Sequence, residues 1–366
     1  MATATCIVPS TVPLPEKSML LTAPPLDPLT FFSSITIHGL ASSDGGPCSL
    51  NLLREQTFPA KRYRDDHAGP APEAERWDPL PRSVGRLHAD LEIIEQLSEG
   101  RIGMVFTARL VSLKRSSDGD VLPAGFIPLP TQFCVKLAKP EYIRSLAREA
   151  WFYEQLSQEE GYPGAITPYC FGFFTSPLPH VVQLPAWSSA RIKPRKPSNI
   201  PADEEYVYDY LRDDNEFSCS FVDDDRTCFL RSPWALKQWK SRADRSPIIG
   251  VLVTERLSGH FPLELRDSKS QNQLSDQLKT EMGELLDDLS AAGILHDDFK
   301  YNNILCPSLE PWLGSQICPH HKRVHPWRVI DFDRTFRWNP ANPDERQWFT
   351  FVQRRSLNDP KFWGSS

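Results

Sequence analysis

Two short strings hold the residues best suited to chemistry. His296-Asp297-Asp298-Phe299-Lys300-Tyr301-Asn302-Asn303-Ile304-Leu305 gathers a carboxylate, an ammonium and a carboxamide into one loop, and Val329-Ile330-Asp331-Phe332-Asp333 ends an apolar run in a carboxylate. Phosphoryl transfer from ATP needs such a set: one carboxylate to orient the attacking hydroxyl, and oxygen ligands to hold Mg²⁺ against the phosphates. The bland alternative is a polar turn followed by a helix-capping aspartate, and the elements upstream weigh against it. Cys306, Cys318, His320, His321 and His325 fall between the two strings and raise the question of zinc. Their spacing matches no standard finger, so they read as a polar hairpin loop.

The elements that must position these groups begin near Leu87. LEIIEQL alternates as a strand, SEGRIG turns, and MVFTARLVSL and TQFCVKLAK supply two further strands. PEYIRSLAREAWFYEQL places Ile143, Leu146, Ala147, Ala150 and Tyr153 at helical spacing, with Pro140 as its start signal. ITPYCFGFF and IIGVLVTERL read as strands. Leu274, Leu278, Met282, Leu285 and Leu289 share one face of a later helix that Gly293 stops. A last helix follows Asn342-Pro343, runs to about Arg355, and has Trp348, Phe351 and Val352 to bury.

In this order along the chain the motifs resemble the protein kinase-like fold, whose loop reads H-R-D-L-K-x-x-N and whose later strand ends D-F-G. The resemblance implies α+β architecture with two lobes, an antiparallel-sheet N-lobe and a reduced, mainly helical C-lobe. It makes Asp298 the catalytic aspartate, Lys300 the lysine that neutralises the transferring phosphoryl group, and Asn303 and Asp331 the Mg²⁺ ligands. Ser98-Glu99-Gly100-Arg101-Ile102-Gly103-Met104-Val105 resembles the glycine-rich loop, so Gly100, Gly103 and Val105 are expected over the nucleotide. Cys134-Val135-Lys136 resembles V-A-I-K, which puts Lys136 on the α- and β-phosphates and Glu149, on the next helix, beside it. Thr254-Glu255-Arg256-Leu257 falls at the interlobe hinge, where the Glu255 carbonyl and Leu257 amide would bond adenine. Taken singly, each has a blander, minority reading: Lys136 as a surface lysine at a strand end, and Glu149 as a solvent-facing glutamate. Together they support each other, since a buried lysine needs a carboxylate to stay charged.

Four features depart from the protein kinase pattern. Ser98 replaces the first loop glycine, and Asp297 replaces the arginine of H-R-D. Asp333 replaces the glycine of D-F-G, which is similar to the I-D-[FW]-[DE] of aminoglycoside and choline kinases. No A-P-E segment follows Asp331, and the stretch to Ser366 is too short for the usual helical substrate subdomain. The resemblance therefore implies an ATP- and Mg²⁺-dependent phosphotransferase acting on a hydroxyl of a protein serine or threonine, or of a small molecule. The competing expectation is a kinase-like binding or scaffold protein.

Composition bounds the rest. With 41 Lys plus Arg against 47 Asp plus Glu, the net charge is −6, which speaks against a nucleic-acid-coating or membrane-clinging protein. The run Ile248 to Val253 is far shorter than the ~20 residues a membrane helix needs. Eight scattered cysteines and no signal-peptide pattern suggest an intracellular protein, cytoplasmic or nuclear, with reduced thiols. Proline, 34 of 366 residues, implies long non-helical stretches. Residues 1–80 are expected to form a partly disordered N-terminal extension, although FFSSITIHGL could be a strand. The kinase-like domain is expected over 81–366, with its N-lobe at about 87–255 and C-lobe at about 256–366. An insertion at 175–246 holds the basic RIKPRKP and ten carboxylates between Asp203 and Asp225, and reads as a solvated, mobile loop.

Overall fold

The computed structural model describes residues 27–55, 57, 85–139, 142–158, 161–186, 248–260, 276–308, 312–314, 316–337 and 343–357. Seven strands close into a barrel: β1 (Phe32–Ser43), β2 (Gly46–Arg54), β3 (Leu87–Glu99), β4 (Gly103–Lys114), β5 (Gln132–Ala138), β6 (Cys170–Pro177) and β7 (Ile248–Glu255), in the order β1-β2-β6-β7-β5-β4-β3. Period-2 alternation turns Ile35, Ile37, Leu52, Leu91, Phe106, Phe133, Val135, Phe171, Val251 and Val253 into the interior, where they form one apolar core. Rings interlock there; Phe133 and Phe171 meet edge to face at 4.9 Å.

The boundary expected at residue 80 is not a structural one. β1 pairs antiparallel with β2 (Ile37↔Leu50) and parallel with β3 (Ile37↔Leu91), so the segment read as an extension closes the sheet. The sheet therefore closes, and the expected antiparallel sheet is a barrel with one parallel seam. The hairpin turns at Asp44-Gly45, a residue pair suited to tight turns. Residues 1–26 and 58–84 lie outside the described residues.

The start of the expected insertion also changes. Residues 175–177 belong to β6, the Ser42 and Gln183 amides each donate to the other residue's carbonyl at 2.9 and 2.8 Å, and Leu178, Val182 and Leu184 pack on the barrel core. The mobile loop expected over the rest of that range, including RIKPRKP and the acidic tract, lies outside the described residues.

Helix α1 (Ile143–Gln158) is buried from Ile143 through Leu156, on every face rather than on one apolar stripe. It is wedged between the barrel and a second core made with α2 (Asp276–Ala291), where Leu146, Ala150 and Trp151 meet Met282, Leu285, Leu289, Ile294, Ile304, Val329 and Phe332. Pro140 and Leu274 lie outside the described residues. Below the barrel, β7 continues through Arg256-Leu257 into β8 (Ser258–His260), which joins a three-stranded sheet with two later strands. β9 (Ile294–Leu295) pairs with β12 (Phe336–Arg337), while β10 (Ile304–Cys306) pairs with β11 (Arg328–Val329).

Helix α3 (Pro343–Ser356) packs on α2 with a face different from the expected one. Phe349 and Gln353 are buried, Val352 is half-buried, and Trp348 and Phe351 are exposed, Phe351 by 63%. The Gln353 carboxamide decides this rotation, because it donates to Ser290 Oγ at 2.7 Å and to the Ile294 carbonyl at 2.9 Å. Among the described residues no helix is long and apolar enough to cross a membrane.

Candidate active site

β5 carries Lys136 opposite Val105 of β4 and Leu252 of β7. α1 carries Glu149 one element later, and β11 delivers Asp331 from the far side of the cleft. The three meet: Lys136 Nζ donates to Glu149 Oε2 and to Asp331 Oδ1, each at 2.6 Å. Burial alone would depress the ammonium's pKa, but Asp331, Glu149 and Asp333 more than reverse that and hold it above its usual value. The two partners respond in opposite directions. Burial pushes Glu149 up despite Lys136, whereas at Asp331 burial is outweighed by Lys136, Lys300 and His296, and its carboxyl is held low.

Backbone geometry sets Asp331. It adopts a left-handed conformation (φ 69°, ψ 63°) that turns the chain from β11 into a 3-10 turn over Phe332–Arg334. Phe332 anchors that turn between Phe152 and Tyr153 of α1. A non-glycine residue held in this region is strained, and such strain persists only where the surroundings over-determine it. The His296 loop is fastened to the same segment. His296 Nε2 hydrogen-bonds the Ile330 carbonyl at 2.9 Å, the Ile330 amide donates to the Asn303 carbonyl at 3.0 Å, and burial keeps the imidazole's pKa below its ordinary value.

Within the loop, Asp297 is also left-handed (φ 52°), and Lys300 Nζ stands 2.7 Å from Asp298 Oδ2. The Asn303 side-chain Nδ2 donates to the Asp298 backbone carbonyl at 2.9 Å and faces Asp298 Oδ2 at 3.5 Å. Asp298, Asp331 and Asp333 each offer an oxygen, all within 4.8 Å of one another. Asp333 is buried with Oδ1 lacking a hydrogen bond, and burial beside Asp331 raises its carboxyl pKa well above the usual range. Three clustered carboxylates, one with an unpartnered buried oxygen, form a donor set suited to a hard cation such as Mg²⁺.

The turn between β3 and β4 closes over this corner. The Gly100 amide donates to the Gly103 carbonyl at 2.8 Å, and Arg101 reaches Asp333 at 3.7 Å. Gly103 is required by packing as well, since a Cβ there would lie 2.0 Å from the Leu137 carbonyl oxygen on β5. Glu255 and Leu257 flank the β7–β8 connection. The Glu255 carboxylate accepts from the Tyr169 amide at 3.2 Å, and Leu257 is buried.

Sequence reasoning missed three contributors. Arg101 carries no spacing signal. Asp333 registers in sequence as a motif variant in place of the D-F-G glycine, without a part in the metal site. Gln353 reaches the loop from α3, where its Oε1 accepts from the His296 amide at 3.2 Å. Of the Cys/His set, Cys318, His321 and His325 come together, joined by Asp288 of α2; Cys306 and His320 fall outside that group of four.

No protein-family model matches the chain, and no curated protein matches it. Among solved structures the chain is similar to the BubR1 kinase domain (13% identity, TM-score 0.33, 78% of this chain and 55% of that one). It is also similar to vaccinia related kinase 3 (11% identity, TM-score 0.33, 69% of this chain and 50% of that one). The chain thus spans about half the length of the solved chains it matches.

Proposed function

We propose that the chain is an ATP- and Mg²⁺-dependent phosphotransferase of the protein kinase-like type. The observation that carries this reading is Lys136 bridging Glu149 and Asp331, which brings strand, helix and loop together at one ammonium beside Asp298. Lys136 is suited to the α- and β-phosphates. Asp298 orients the acceptor hydroxyl and takes its proton, and Lys300 compensates charge on the phosphoryl group in flight. Asp331, with Asp298 and Asp333 close by, would hold Mg²⁺, which supplies charge neutralisation on the phosphates when bound. The Lys300–Asp298 pair favours a protein serine or threonine as acceptor, because that lysine belongs to the protein kinase version of the loop.

A second reading, nucleotide binding without turnover, draws on Asp297 and Asp333, which stand where protein kinases carry the H-R-D arginine and the D-F-G glycine. Thermal unfolding with and without Mg·ATP, on wild type and Asp331→Ala, tests the nucleotide site. A ligand at a hundred times its Kd adds about 2.7 kcal/mol, so the wild-type transition moves up and the variant's does not. Absence of a wild-type shift overturns the proposal. Asp298→Asn then separates the readings: loss of phosphate transfer with the ATP-dependent shift retained supports catalysis, and equal turnover in both removes Asp298 from its role.

A further inference from the structure

The hairpin joining β10 to β11 folds back onto α2 and buries a mixed cluster there. Cys318 Sγ lies 3.2 Å from Asp288 Oδ2 and 3.6 Å from His321 Nδ1. His325 Nε2 lies 2.9 Å from Asp288 Oδ2, and His321 Nδ1 lies 3.2 Å from Asp288 Oδ1. One donor atom from each of the four falls within 4.8 Å of all the others. For zinc bonds of about 2.0–2.3 Å, a tetrahedron has edges of about 3.3–3.6 Å; the shorter contacts already fall near or below that, and small side-chain shifts bring a set spanning up to 4.8 Å onto it.

The cluster is poorly satisfied as a set of neutral hydrogen bonds. The Asp288 and His325 side chains are 0% exposed. Asp288 Oδ1 has no hydrogen bond, although His320 Nδ1 and His321 Nδ1 stand 3.3 and 3.2 Å away, and His325 Nδ1 is also buried without one. A fully buried carboxylate left this way is costly unless a cation shares the site. The backbone is arranged for a thiolate. The His321 amide donates to Cys318 Sγ at 3.4 Å, and Lys322, left-handed at φ 54°, turns the chain so that the Cys318 and Arg323 backbones pair at 2.8 Å.

We propose that Asp288, Cys318, His321 and His325 bind one Zn²⁺ as a closed structural site that staples the β10–β11 hairpin to α2. One thiolate, two imidazoles and one carboxylate suit zinc rather than Mg²⁺ or Ca²⁺, and four protein ligands in a mostly buried site leave no position for substrate. The staple acts on the candidate active site through Arg328. That guanidinium donates to the His325 and Trp327 carbonyls at 2.8 and 2.9 Å and lies two residues before the Ile330-Asp331 turn. The zinc site stands independently of the proposed phosphotransfer.

The test is metal analysis of the full chain, purified without chelator and dialysed against Zn²⁺, then stripped and reloaded with Co²⁺. The expected result is about one zinc per chain and tetrahedral cobalt bands with a thiolate charge-transfer band. Cys318→Ser abolishes that charge-transfer band, and Cys318→Ser and His325→Gln each lower zinc content several-fold. A wild type that stays metal-free, or variants that keep a full equivalent and an unchanged cobalt spectrum, overturn the site. Where neither variant folds, the wild-type cobalt spectrum decides: the thiolate band supports the proposal and its absence overturns it.

Discussion

Lys136 Nζ stands 2.6 Å from Asp331 Oδ1, although 195 residues separate the two in sequence. Because Glu149 holds the same nitrogen, removing the lysine leaves two carboxylates facing each other around an empty centre. Lys136→Met should therefore destabilise the fold by about 2–4 kcal/mol at pH 7.5. The cost should shrink in acid, where the carboxylates take up protons. Urea denaturation at pH 7.5 and pH 5 measures it, and an unchanged midpoint at both would deny Lys136 this structural role.

Gly103 is tied to the strand that carries Lys136. A methyl group there would lie 2.0 Å from the Leu137 carbonyl oxygen, and that oxygen belongs to backbone with nowhere to move. Gly103→Ala is expected to cost about 2 kcal/mol or more by forcing β4 from β5. It should also weaken any Mg·ATP-dependent thermal shift. Wild-type stability in the variant would show that the two strands separate without penalty.

Glu154 offers a pH test away from the site. Its buried carboxyl is pushed up to about 7, by burial first, against the Thr57 hydroxyl that donates at 2.6 Å and the Arg54 guanidinium 3.8 Å away. Between the unfolded value of 4.5 and the folded value near 7, the unfolded chain holds fewer protons than the folded one. Stability from this group is therefore full below pH 4.5 and falls as pH rises, by about 3 kcal/mol in all. Glu154→Gln removes the slope and gains on wild type most at pH 8. A difference between the two proteins that does not change from pH 4.5 to 8 would refute the assignment.

Gln353 links α3 to the His296 loop. Its carboxamide accepts from the His296 amide and donates to Ser290 Oγ and to the Ile294 and Leu286 carbonyls. Gln353→Leu takes the acceptor from the buried His296 amide and a donor from the Ile294 carbonyl, while Ser290 Oγ keeps its bond to the Leu286 carbonyl, and should cost about 2–3 kcal/mol. If the phosphotransfer reading holds, kcat should fall with little change in the KM for ATP, because the loop moves while Lys136 stays in place. A variant with wild-type stability would contradict the clamp.

Much of this molecule was legible in the residues. Strand β3 showed in alternation, β4, β5, β6 and β7 as apolar runs between turns, and α1 and α2 in helical spacing; motif order put forward Lys136, Glu149, Asp298, Asn303 and Asp331 as candidates, of which Lys136, Glu149 and Asp331 meet. The β1–β2 hairpin had a usable signal in Asp44-Gly45 between apolar runs, yet its role was hidden, because a parallel pairing with β3 spans residues 58–84 and leaves no local mark. The face of α3 was misread because hydrophobicity pointed to Trp348 and Phe351, while hydrogen bonding to a distant loop favoured Gln353.

The sequence by itself determined the local periods, the turn chemistry and which charged groups exist, since these depend on neighbours a few residues apart. Only the tertiary structure decided which charges face each other. The 2.6 Å contacts at Lys136, the reach of Arg101 to Asp333, and the union of Asp288 with Cys318, His321 and His325 depend on packing α1 and α2 against the barrel and the hairpin. Electrostatics in a buried site follow distances across the fold, and those are set by how the two cores close rather than by spacing along the chain.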